Sequence, residues 1–174
     1  MADKKAMAGR RPPSLKLWRA EGEKMKWSYF VIEPFTVSVN YELSVEEMIA
    51  EGNYDQVTTD IAKKLHPFKK MVSGEVNLNL ITYGPNHPFT KDILKMYEKY
   101  NLRTANVPET LAFGKQYPNE QKKEYLLTAL SPTWQLILWR NIINEPKREI
   151  LRTLRTHHFV KIWPTETKFL AACK

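Results

Sequence analysis

The residues best suited to chemistry gather in the last third of the chain. Arg140, Lys147, Arg148, Arg152, Arg155, His157, His158 and Lys161 fall in a short span that also holds Trp139, Phe159 and Trp163. Basic side chains contact phosphates and exposed aromatic rings stack bases, so this mixture points to an acidic macromolecular partner. Nucleic acid or a ribonucleoprotein is favoured over protein. With Arg10 and Arg11 near the N-terminus, the expected contact residues are Arg10, Arg11, Arg140, Lys147, Arg148, Arg152, Arg155 and Lys161. The competing reading is an aromatic core beneath a solvated basic face.

Other chemistries find little support. His66, His87, His157 and His158 do not pair with one another at helical ligand spacing or with Cys173, the single cysteine, so no metal is expected. Glu46 and Glu47 read as helix N-terminal charge and a capping residue rather than an acid/base pair. Six scattered glycines build neither a dinucleotide fingerprint nor a phosphate loop, so no cofactor is expected. The expectation is therefore a non-enzymatic binding module. A protein–protein adaptor or structural subunit using Trp-rich strands is the alternative, and an enzyme with a site assembled from distant residues comes third.

The wider composition sets the frame. The chain has 174 residues, net charge +8 and a 43% hydrophobic fraction, which suits one domain with a real core. From Val31 to Ala62 there is no Lys or Arg but seven acids, flanked on both sides by basic sequence. Such a block predicts oppositely charged regions on one body, with residues 33–60 facing away from the acidic partner or toward a neighbouring copy. Residues 1–17 read as a basic, flexible leader around Arg10-Arg11-Pro12-Pro13, with the fold running from 18 to 174. One cysteine, no apolar signal segment and no membrane-length apolar run lead to the expectation of a cytoplasmic protein.

Local patterns name the elements that must position these residues. After an apolar run that Pro34 interrupts, Phe35, Val37, Val39 and Tyr41 alternate with polar residues, which predicts a half-buried strand. Ser44-x-x-Glu47 predicts a short capped helix ending at Gly52-Asn53. Val57, Ile61 and Leu65 suggest a second helix over residues 55–65. Gly74 precedes another alternating strand through Val76, Leu78 and Leu80. Thr90 is placed as the cap of a helix with Ile93, Met96, Tyr97 and Tyr100 inside, and Pro108 opens a helix that Pro118 stops. Four apolar runs, at Leu127–Leu130, Leu136–Ile142, Phe159–Trp163 and Phe169–Ala172, read as strands. Over residues 147–158 the pattern favours a helix presenting Arg148, Arg152 and Arg155 on one face, because a strand would put Arg152 between Ile150 and Leu154.

Four segments carry a resemblance. Val39-Asn40-Tyr41-Glu42-Leu43-Ser44-Val45-Glu46-Glu47-Met48-Ile49 continues to Gly52-Asn53-Tyr54-Asp55, and Pro108-Glu109-Thr110-Leu111-Ala112-Phe113-Gly114-Lys115 continues to Tyr117-Pro118. With Ala129-Leu130 to Trp134 and a closing Phe169-Leu170-Ala171 to Lys174, they resemble a family of small uncharacterised bacterial proteins, over residues 36–174. The family supplies no activity. Its element order is similar to a reduced C-type-lectin-like fold, which implies strand and loop rather than helix over 147–158. Asn144-Glu145-Pro146-Lys147-Arg148 departs from the Gly- and Asp-rich turns of those relatives. The fold class expected is α+β, a single domain with a mixed or antiparallel sheet and several short helices.

Overall fold

Two alternating runs set the centre of the molecule: strand β2 (Phe30–Val39) pairs antiparallel with β4 (Gly74–Tyr83) along ten residues. The structure, a computed structural model, describes residues 16–18, 30–58, 61, 71–83, 89–123, 126–129, 134–143, 149–158, 162–165 and 167–174. In chain order the remaining strands are β1 (Lys16–Trp18), β3 (Gln56–Val57), β5 (Leu102–Thr104), β6 (Leu126–Ala129), β7 (Trp134–Ile143), β8 (Glu149–His158) and β9 (Thr167–Cys173). The helices are α1 (Val45–Glu51), α2 (Thr90–Lys99), α3 (Val107–Gln116) and α4 (Pro118–Lys123).

The nine strands of the described residues form one mixed sheet, eight of them in the order β1-β2-β4-β9-β6-β7-β8-β3 and β5 beside β9. The last strand of the chain lies at its centre. β6 pairs parallel with the start of β9, and β5 pairs antiparallel with its end, so both occupy the edge of β9 opposite β4. β3 runs parallel to β8 at the far margin. The α+β single-domain expectation holds.

Because successive strand side chains point to opposite faces, each long strand contributes to two cores. Val37, Val39, Leu78, Leu80, Leu136, Leu138, Leu154, Leu170 and Ala172 face one side, where Met48 of α1 and Leu111 and Phe113 of α3 cover them. Ile81, Tyr83, Ile137, Phe169 and Ala171 face the other, covered by Ile93, Met96 and Tyr97 of α2 and by Trp163. Each Val, Leu, Ile, Phe or Met side chain so withdrawn from water contributes about 1.5–3 kcal/mol. Edge-to-face aromatic pairs close both layers: Phe35 on Phe113 at 5.1 Å, and Trp163 on Phe169 at 5.6 Å.

Several local expectations need correction. Residues 149–158 are strand, not the helix that the spacing of Arg148, Arg152 and Arg155 favoured. β2 continues through Pro34, which lies past the last β1 pair at Ile32, where a missing N–H costs little. Gln56–Val57 is strand, and Val57 is exposed rather than inside a helix stripe; Ile61 is helical and buried, and residues 62–65 fall outside the described set. Thr90 does not cap α2: Phe89 holds that position, and the Thr90 hydroxyl accepts the Trp163 Nε1–H at 3.0 Å. Of the strand expected over 159–163, the described part is a single bridge, Ile162 to Phe89. Lys16 and Leu17 belong to β1, so pairing begins inside the expected leader; residues 1–15 lie outside the described set. The Ser44–Glu47 capping box forms as expected, and the backbone N–H of Ser44 holds the Glu47 carboxyl below the usual carboxylate range.

Candidate nucleic-acid interface

Segments 39–55 and 103–118 converge on two buried polar clusters. In the first, Asn106 caps α3 and Glu109 completes a capping box. The Glu109 carboxylate is fully buried and accepts four bonds: from Tyr41 Oη (2.9 Å) and Arg103 Nη2 (2.6 Å) on Oε1, and from Arg103 Nη1 and the Asn106 backbone N (both 2.8 Å) on Oε2. Asn106 Nδ2 donates back to Tyr41 Oη at 3.2 Å. Arg103, hydrogen-bonded to Glu109, has its pKa raised, while burial raises that of Tyr41. With every carboxylate lone pair engaged, this cluster fastens the turn after β2 to β5 and α3 and offers no group for proton transfer. Sequence reasoning missed it, although Asn106-x-x-Glu109 carries the same spacing as the Ser44 box.

The second cluster belongs to Arg152. This side chain is buried, with Nη1 donating to the carbonyls of Gly52 (2.9 Å) and Asn53 (3.2 Å) and Nη2 to that of Gly114 (2.5 Å). Its guanidinium lies over the Tyr54 ring at 4.9 Å, and its backbone N–H donates to Asp55 Oδ2 at 2.6 Å. The Tyr54 ring fits only because Gly52 and Gly114 are bare; a Cβ at either would collide with it. Gly52 caps the C-terminus of α1 and Gly114 sits in the last turn of α3, so Arg152 neutralises two helix carbonyl ends at once. Its cross-strand partner Arg140 does the same for α4, donating Nη1 to the Lys123 carbonyl at 2.8 Å.

Arg152 is therefore removed from the expected contact set: the partial negative charge it meets is the protein's own. Arg140, half-buried and turned to the same helix-covered face, is largely engaged as well. Arg155 differs. Three residues on from Arg152, it emerges on the opposite face and is exposed. Its guanidinium lies over the half-buried Trp139 ring at 5.5 Å and makes no hydrogen bond or ion pair to the described residues. The pair lines an open concavity of about 520 Å³, with Gln56, Val57, Thr58 and Thr153 as the other walls. The Thr153 hydroxyl donates to Gln56 Oε1 at 3.2 Å, tying β8 to β3. Buried Gln121 of α4 donates to the carbonyls of Trp139 (3.1 Å) and Thr153 (3.2 Å), fixing the backbone beneath the concavity.

Arg10, Arg11, Lys147, Arg148 and Lys161 lie outside the described residues. Among the described residues no three His, Cys, Asp or Glu side chains assemble into a metal site, and no helix is long and apolar enough to cross a membrane. Two carboxylates of the acidic block meet cations from the basic sequence that follows it. Glu33 of the acidic block approaches Lys168 at 3.5 Å, and Glu51 pairs with Lys115 at 2.9 Å. No protein family, curated protein or solved structure matches this chain.

Proposed function

We propose that this chain is a non-enzymatic binding module of the cytoplasm that engages nucleic acid, alone or in a ribonucleoprotein, through the sheet face around Arg155. The observation that carries the reading is an exposed guanidinium seated over Trp139 with no hydrogen bond or ion pair among the described residues, beside a polar-walled concavity. Holding a planar cation on an aromatic ring limits its motion, so less order is lost when an anion arrives. Arg140 and Arg152 supply the contrast, since both are taken up by helix ends. The basic residues of the leader and of 147–161 extend the same attraction at the level of sequence. An adaptor role through the Trp-rich strands has weaker support, because Trp163 is buried against Phe169 and bonded to Thr90.

The test is fluorescence anisotropy with single-stranded RNA and DNA at 50 and 200 mM salt, on the wild type and R155E. Binding should weaken with salt and fall at least tenfold in R155E. Salt-insensitive binding, or equal affinity in the variant, would remove the reading.

A further inference from the structure

We infer that the concavity beside β3 seats one nucleotide unit, its base laid on the outer face of the Arg155 guanidinium as the third layer of a stack begun by Trp139. This deepens the proposed function and rests on it. Three observations carry it. The space, about 520 Å³, lies in the range of small-ligand sites and is too large for a phosphate alone to fill. Its floor is a planar cation already seated over an aromatic ring, and guanidinium planes take bases as aromatic rings do. Its walls are polar at Gln56, Thr58 and Thr153 and apolar at Trp139. A base is amphipathic in the same sense, apolar on its faces and polar on its edges. Arg155 retains N–H groups at the rim of its plane for the attached phosphate.

Isothermal titration with nucleoside 5′-monophosphates, the corresponding nucleosides and inorganic phosphate tests this on the full chain. The monophosphate should bind at least tenfold more tightly than inorganic phosphate. R155K, which keeps the charge and loses the plane, should lose the monophosphate at least tenfold while retaining most of its affinity for single-stranded RNA. If RNA binds and the monophosphate does not, or phosphate alone binds as tightly, the nucleotide seat is overturned and the proposed function survives. Unchanged monophosphate affinity in both R155K and R155M also overturns it, by placing the site elsewhere. If neither RNA nor monophosphate binds, both readings fall.

Discussion

Arg152 and Arg155 are three positions apart and have opposite fates. A strand turns consecutive side chains to opposite faces, so 152 points under the helices and 155 points out. Arg152→Met would leave the buried carbonyls of Gly52 and Gly114 without this donor, and should cost about 3 kcal/mol in urea unfolding. Arg155→Met should leave stability within about 0.5 kcal/mol. Equal destabilisation of the two variants would contradict the assignment. Gly114→Ala belongs to the same cluster: its Cβ meets the Tyr54 hydroxyl, and thermal unfolding should show a loss of about 1–3 kcal/mol. None of this could be read from the sequence, because the partners of Arg152 lie 38 to 100 positions away. The Ser44 box was legible for the opposite reason, since both of its partners sit within one helical turn.

At the scale of elements, the segment 149–158 shows how one buried cation disguises a strand. Ile150, Arg152 and Leu154 do share an inward face, yet the charge in the middle breaks the alternation on which strands are recognised. The 3.6-residue spacing of Arg148, Arg152 and Arg155 then imitates a helix. β4 was readable because its inward positions are uniformly aliphatic. Helix α3 rests on Asn106 and Glu109 more than on its composition. Asn106→Ala removes the cap and a bond to Tyr41, and Glu109→Ala strips the partner from half-buried Arg103. We expect about 1–2 kcal/mol for the first and about 2–3 kcal/mol for the second, measured by chemical denaturation. Ser44→Ala, at the exposed start of α1, should cost only about 1 kcal/mol. Similar losses for all three would mean that the Glu109 cluster is not a fastening point.

For the whole molecule, strand order is the part that local pattern could not supply. The chain's last strand inserts between β4 and β6, and its pairing with β4 spans about half of the sequence length. Folding also brings two carboxylates of the acidic block to cations far along the chain, Glu33 to Lys168 and Glu51 to Lys115. These surface pairs contribute little, so salt should change stability by less than about 1 kcal/mol while changing partner affinity strongly. The two cores hold Tyr54, Tyr83 and Tyr97, whose phenols burial pushes well above their ordinary value. Phenols in the unfolded chain ionise near pH ~10, so this stability is intact below that pH and is lost as pH rises toward the higher folded values. Urea midpoints should fall between pH 9 and 11, with phenolate absorbance appearing together with unfolding. Ionisation of all tyrosines near pH 10 in an intact fold would contradict the burial.

The central claim is a division of labour: Arg152 holds the fold, and Arg155 meets an anion from outside. Its most direct test is the salt dependence of single-stranded RNA binding in the wild type and in R155M. Removing one phosphate contact should make the log–log slope shallower by about 0.7 in a protein as stable as the wild type. An identical slope and affinity in R155M would contradict the claim.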